Sequence, residues 1–302
     1  MTLGSQVVKN QYTRLMRDLW VKWDAPPIPE KNRVLQLERI IKTIAPGIPV
    51  PAVYTDRLGP ATRGTFMHRD WALCLNELFF DEDQYTYRRF LMMATTVYHE
   101  VRHAEQFYRC LQALFFGYAQ LPDHHFQLVP LDPETFGQMS VQQKVDLYQY
   151  QLPDRQQTIS PGMLANRMQV PIEIALAAKN SSLRDFQNFI NLSKDWYVRG
   201  QAKNEIQKWV NHIVTGPIYC ARNQTKYSRD EVWANSSNRP FDEDTLAHNR
   251  QRIYQTSPLE KDTHHIQTNI ERPIEGLIGV AHTQETRDCK RGDAIFKHLN
   301  KK

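Results

Sequence analysis

The chain has 302 residues, of which 24% are charged and 41% hydrophobic, and its formal net charge is +5. This composition is typical of a globular protein, and the length suits one large or two modest domains. No apolar run approaches the ~20 residues of a membrane-spanning helix. The first nine residues do not resemble a signal peptide. We therefore expect cytoplasmic synthesis, with any export using a machinery that needs no leader.

The cysteines and the basic residues argue against two further classes of site. The four cysteines lack the CxxC spacing of a zinc ribbon and form no disulfide framework. The densest basic segment is Arg287–Lys302, and a single aromatic residue, Phe296, lies within it, so no series of interleaved aromatic residues accompanies the charge. We interpret this segment as a solvated tail rather than as a nucleic-acid site.

Hydrophobic periodicity predicts the elements of the first hundred residues. Helices are expected over Gln6–Trp23 and Asn32–Thr43, each followed by a proline-rich break. Apolar residues then alternate over Trp71–Asn76, which is the pattern of a strand. A long amphipathic helix is expected from Tyr85 to Phe116, and Gly117 is its stop signal.

The sequence His99-Glu100-Val101-Arg102-His103, in the middle of this long helix, is an HExxH motif. Residues four apart lie on one helix face, so both imidazoles can reach one metal ion. Glu100 is rotated by about 100° from His99 and can contact a metal-bound water without being a ligand. This is the arrangement of a zinc hydrolase. The alternative is two ordinary histidines on a helix, and Arg102 departs from the usual motif, which disfavours a charge there.

A third ligand is needed, because catalytic zinc normally has three protein ligands and an open position. Glu173 is the first candidate, since it lies among apolar residues in Val170–Lys179, where an unpaired buried charge would be costly. The alternative is that Glu173 only stabilises a helix N-terminus. The other candidate ligands are His124, His125 and Asp185.

The strand before the motif helix suggests how a substrate binds. If its edge lies beside the metal, an extended peptide can pair with it by strand addition. Trp71, Leu73 and Leu75 would then be substrate-binding residues. The alternative is an ordinary core strand.

The remaining residues divide into a helical part and an irregular part. Residues 121–162 form a long polar connection with a predicted helix near Ser140–Tyr150. Further helices are expected over three ranges: Pro171–Lys179, Leu183–Tyr197 and Gln201–Val214. From residue 216 the apolar periodicity fades. We therefore divide the chain into a catalytic domain, 1–215, with a helical N-terminal segment, 1–45, and a loosely structured extension, 216–302, that wraps the domain or binds a partner such as a secretion apparatus.

Residues 50–180 resemble the zincin superfamily of metallopeptidases, and more narrowly its glutamate-liganded gluzincin type. The resemblance rests on the strand Trp71–Asn76, the motif His99–His103 and the distant acid Glu173. It implies an α+β fold in which a small mixed sheet has an edge strand beside the long HExxH helix, with a mostly helical C-terminal half. It also implies that His99, His103 and Glu173 bind Zn²⁺. The motif is more loosely similar to HExxH domains of bacterial toxin and contractile-injection cargo proteins.

The predicted function is that of a zinc-dependent hydrolase, most simply a metallopeptidase acting on a protein or peptide, and an effector or toxin role is compatible with it. Glu100 would accept the proton of the attacking water. Four residues have the chemistry to stabilise the oxyanion: Tyr118, Tyr197, Tyr219 and His212. The alternatives are a non-catalytic binding or cargo protein that docks through 216–302, and a hydrolase of cell-wall amides.

Overall fold

The computed structural model describes residues 2–23, 30–59, 62–80, 86–121, 159–193, 202–215 and 257–278. The N-terminal part contains α1 (Gln6–Trp23), α2 (Glu30–Ile44), β1 (Ala52–Asp56), β2 (Gly64–Met67), β3 (Ala72–Asn76) and a short 3₁₀ helix (Glu77–Phe79). The long helix α3 (Tyr87–Phe115) follows, and then α4 (Pro161–Met168), α5 (Ile172–Lys179), α6 (Leu183–Ser193), α7 (Ala202–Thr215) and α8 (Pro258–Ile278).

Most of the helices expected from the sequence are present with ends shifted by two residues or fewer. Thr86 caps the motif helix, because its Oγ1 accepts a hydrogen bond from Arg89 N at 3.3 Å. Gly117, beyond the other end, has φ 71°, as expected for a glycine after a helix. The end of the helix expected over Leu183–Tyr197 and the helix expected near Ser140–Tyr150 lie outside the described residues.

The sheet is small and mixed. Its strand order is β1-β3-β2, with β3 parallel to β1 and antiparallel to β2. Among the described residues the architecture is mostly helical with this one three-stranded sheet, which confirms the α+β class. None of the described helices has the length and apolar character needed to cross a lipid bilayer.

The topology corrects the expected role of β3. This strand lies in the middle of the sheet, paired on both sides, so it offers no edge to an extended peptide. Leu73 and Leu75 are fully buried, and the Trp71 indole donates to Pro49 O at 3.0 Å. These three residues therefore belong to the core, and the expectation that they bind substrate along a free edge was wrong.

The edge strand beside the motif helix is β2. A Cβ added to Gly64 would lie only 2.7 Å from Thr96 Cγ2, so the two elements approach closely where glycine has no side chain. Further along, Phe66 packs edge-on against Phe107 with ring centroids 5.7 Å apart. The strand therefore runs beside the HExxH turn of α3.

The motif helix α3 is the centre of the fold, and nearly every side chain from Arg89 to Leu114 is buried. Helix α8 packs against both α3 and α1. It lies within 216–302, which we expected to be a loosely structured extension, and for Pro258–Ile278 that expectation is corrected. The other residues of that segment lie outside the described part of the chain.

Candidate metal centre

The two motif histidines are both buried on one face of α3. Their rings are nearly perpendicular, with centroids 4.9 Å apart. Their Nε2 atoms are 3.2 Å apart. The i,i+4 spacing therefore brings two nitrogen donors to one point, as the motif predicted.

Glu260, from α8, completes the group. Its Oε1 lies 3.0 Å from His103 Nε2, and its Oε2 lies 3.3 Å from His99 Nε2. Its side chain is only 4% exposed. Within the described residues, His99, His103 and Glu260 form the group of ligand-type side chains that is compact enough to hold a metal ion.

The spacing of these donors suits a small divalent cation. Tetrahedral ligands at zinc bond lengths of ~2.0–2.1 Å lie about 3.3–3.4 Å from one another. The measured separations are close to this value: 3.2 Å between the two Nε2 atoms, and 3.0 and 3.3 Å from these atoms to the two different oxygens of Glu260. Two histidines and one glutamate are also a donor set used by catalytic zinc. The residues present therefore fit a small divalent cation, of which zinc is one.

Two glutamine side chains set the protonation of the imidazoles. Gln106 Nε2 donates to Leu259 O at 3.1 Å and to Asp262 Oδ2 at 2.7 Å, which leaves Gln106 Oε1 as the acceptor facing His103 Nδ1 at 2.9 Å. Gln267 Oε1 lies 2.8 Å from His99 Nδ1. With an amide oxygen facing each Nδ1, the proton-bearing nitrogen is Nδ1, so each Nε2 is the nitrogen available to bind a cation at the shared centre, as in metal-binding histidines.

The electrostatics of the centre favour a positive charge. Burial by itself lowers the pKa of His103, but the hydrogen bond to Glu260 and the charges of Glu100 and Glu260 outweigh it, and the net pKa is raised. The same negative potential that stabilises a proton on this imidazole stabilises a metal cation beside it.

Glu100 is buried next to the two histidines. It is not part of the compact ligand group. Its Oε2 accepts a hydrogen bond of 2.8 Å from the backbone N–H of Phe66 in β2. The edge strand therefore orients the carboxylate that the sequence predicted to be the general base.

Two further histidines lie around Glu260. His264, one turn along α8, has its Nε2 3.7 Å from Glu260 Oε2, and its ring lies 5.1 Å from the ring of His99. Its side chain is 54% exposed, which places it on the solvent side of the centre. His212, from α7, interacts electrostatically with Glu260 and His103, and burial lowers its pKa to about 4.

Two of the other predicted ligands lie away from this centre. Glu173 lies exposed in the first turn of α5 and is outside the compact group. Asp185 is exposed in the first turn of α6. His124 and His125 lie outside the described residues. The compact group therefore contains Glu260 at the place where we expected Glu173.

The candidates for oxyanion stabilisation are also separated. His212 is near the centre. Tyr118 packs against Phe186 at 5.2 Å between ring centroids and accepts a hydrogen bond from Gln187 Nε2. Tyr197 and Tyr219 lie outside the described residues.

A local signal for Glu260 was present in the sequence. Ser257-Pro258-Leu259-Glu260 is a capping box with proline in the first helical turn. In the structure Ser257 Oγ accepts a hydrogen bond from Glu260 N at 3.2 Å. Buried residues follow at helical spacing: Leu259, Thr263, Ile266, Ile270 and Ile274. The pattern predicts an amphipathic helix with an acid in its first turn, which is what α8 is.

Comparison of the chain with protein-family models, with curated proteins and with solved structures gave no match.

Proposed function

We propose that the protein is a zinc-dependent hydrolase, specifically a metallopeptidase, in which His99, His103 and Glu260 hold the ion and Glu100 is the general base. The observation that carries this proposal is the convergence of two imidazole Nε2 atoms on one buried carboxylate, with a second glutamate beside them. A zinc ion held there would act as a Lewis acid and lower the pKa of a coordinated water toward ~7.

Glu100 is assigned the proton transfer because of its place and its orientation. It follows His99 on α3, and its charge acts on His103. Since Phe66 N–H holds Oε2, we assign Oε1 as the oxygen that takes the proton from the attacking water. A base fixed by a backbone donor needs little reorganisation during the reaction.

His264 is proposed to stabilise the negative charge that develops on the substrate oxygen. It is near Glu260 and His99 but half-exposed, so a substrate entering from solvent can reach it. Burial and then the neighbouring His99 lower the pKa of His264. The imidazole is therefore neutral at pH 7 and can donate an N–H hydrogen bond to an oxyanion.

A protein or peptide is the proposed substrate because a sheet edge lies beside the base. The hydrogen bond from Phe66 N to Glu100 Oε2 supports this, because it places the outer strand β2 next to the centre, with that one N–H already occupied by the carboxylate. An extended chain that binds along such an edge has its carbonyl groups at regular intervals, where a hydrolytic site can reach them.

The deciding experiment combines metal analysis with substrate screening. The purified chain should contain about one zinc per molecule. It should generate new termini in unfolded casein or in a peptide library, detected by mass spectrometry. Glu100→Gln is the matched inactive variant, and a peptidoglycan digest in parallel tests for cell-wall amide hydrolysis. A wild-type protein that binds no zinc, even after reconstitution, would exclude the proposal. Zinc binding without turnover on any substrate would favour a binding role.

A further inference from the structure

Arg102, inside the HExxH motif, makes a buried two-sided ion pair. Its side chain is fully buried. Its Nε lies 2.8 Å from Asp262 Oδ2 and its Nη2 lies 3.3 Å from Asp262 Oδ1. On the other side, Nη1 donates to Glu105 Oε2 at 2.5 Å. Arg102 thus binds one carboxylate of its own helix and, with a two-pronged contact, one carboxylate of α8.

The partner on α8 lies next to the third ligand. Asp262 is two residues after Glu260, in the first turns of that helix. Gln106 makes a second tie to the same turn, because it donates to Asp262 Oδ2 and to Leu259 O while its oxygen faces His103. These polar contacts between α8 and α3 therefore lie on both sides of Glu260 in the first turns of α8.

We propose that Arg102 is a positioning residue. Through Asp262 it fixes the register of α8 on α3, so that the Glu260 carboxylate can reach the same ion as His99 and His103 before that ion binds. This inference rests on the proposed zinc site. The guanidinium is suited to the task because its planar fork matches a carboxylate in one orientation only. Trp209 of α7 covers it, with the ring centroid 5.5 Å from the guanidinium carbon.

The ion pair between Arg102 and Asp262 contributes more to the exact alignment of the two helices than to the stability of the fold. A buried ion pair often contributes little net stability, because the loss of hydration offsets the attraction between the charges. Apolar side chains could hold two helices together at this point as well, but they would tolerate a small sliding of α8. A shift of α8 by about 1 Å would leave the Glu260 oxygens too far from an ion bound to the two histidines, because zinc–oxygen bonds are only ~2.0–2.2 Å long. The charged pair therefore explains why an arginine occupies a motif position that usually disfavours charge.

The test compares two variants that each remove one negative charge from beside the same arginine. Asp262→Asn removes the charge and the two-pronged contact that tie α3 to α8, whereas Glu105→Gln weakens ties that do not involve α8, to Arg102 and Arg109 within α3 and to Leu3 N. Zinc affinity is measured by competition with a chromophoric chelator, and folding by circular dichroism. Loss of an outer-shell residue that orients a metal ligand typically lowers the metal affinity by about 10–100-fold. We expect a loss of that size, about 10–100-fold, in Asp262→Asn and little change in folded Glu105→Gln.

A second comparison separates positioning from general destabilisation. Asp262→Asn is repeated in a Glu260→Ala background, where zinc has only the two histidine ligands left. If Arg102 and Asp262 act through Glu260, the second substitution should then have little further effect on zinc affinity. An equal loss of affinity in both backgrounds, or an unchanged affinity in Asp262→Asn alone, would overturn the proposal.

Arg102→Lys gives the same test should Asp262→Asn not fold. Lysine keeps the positive charge but cannot make the two-pronged contact. We again expect weaker zinc binding that depends on Glu260, and a loss that is independent of Glu260 contradicts the proposal. Failure of the zinc site itself would be distinguishable, because the wild-type chain would then bind no zinc.

Discussion

Glu260 Oε1 lies 3.0 Å from His103 Nε2, although the two residues belong to helices at distant points in the chain. A carboxylate and an imidazole this close make a strong proton or metal site in a buried environment. The second imidazole, 3.2 Å from the first, turns this pair into a three-donor centre. The predictions below test its parts separately.

Replacing either motif histidine should leave the purified protein without bound zinc. In His99→Ala and His103→Ala two donors remain, which is fewer than catalytic zinc normally has. The helix should persist, because its packing surface comes from other buried residues of α3. Elemental analysis and far-UV circular dichroism check both points. Stoichiometric zinc in both variants would rule out this metal site.

Glu100→Gln should keep zinc and lose hydrolysis by about 10²–10⁴-fold, the usual contribution of a general base. The amide oxygen can still accept the hydrogen bond from Phe66 N, so β2 should stay in place. What the amide cannot do is take a proton. Activity assays and zinc analysis on the same sample test this prediction. If zinc is lost together with activity, Glu100 is a ligand or a structural residue.

Glu260→Ala and Glu173→Ala form a matched pair of acid-to-alanine changes. The first should weaken zinc binding by more than 100-fold, beyond the 10–100-fold typical of a partner behind a ligand. The second should leave zinc affinity unchanged, because Glu173 is exposed on α5. Chelator competition measures both affinities. The reverse ranking would restore Glu173 as the third ligand.

His264→Ala should lower turnover by about 10²–10³-fold, the effect of removing one oxyanion donor, and should leave zinc content unchanged. His265 is the natural control, since it is the next residue on α8 and is also exposed. His265→Ala should retain full activity. Steady-state kinetics on both variants decides this point. Equal activity in the two variants would remove His264 from the mechanism.

Removing zinc with a chelator should leave the fold in place. The contact between Arg102 and Asp262 ties α8 to α3 without a metal ion. The loss of stability should therefore be limited to the binding free energy, which is ~2.7 kcal/mol when free zinc is a hundred times Kd. We expect an unchanged far-UV spectrum and a lower melting temperature. Unfolding of the metal-free protein at room temperature would show that the ion, and not the ion pair, holds α8.

The motif pair was predictable because its geometry is local. Helical periodicity by itself brings residues 99 and 103 to one face, and no tertiary contact is needed for that. The same reasoning located most helices within two residues of their observed ends. The capping box at Ser257 belongs to this class of local signals, and it could have indicated α8.

Glu173 shows why local sequence cannot identify a third ligand. Its apolar neighbours suggested burial, yet Ile172 and Leu176 are 46% and 43% exposed, so the apolar run does not mark a buried surface. Apolar residues in a short helix indicate the core only if the helix turns that side inward. The orientation of α5 is decided by its packing on α3 and α4, and not by its composition.

The sequence by itself determined that His99, Glu100 and His103 lie together, because they share about one helical turn. Only the tertiary structure decided which acid faces the two imidazoles, which outer strand lies beside them and what Arg102 contacts. Arg102 and Asp262 are 160 residues apart in the chain. Contacts over that distance depend on how whole helices dock, and docking depends on shape and charge complementarity that a one-dimensional pattern does not contain.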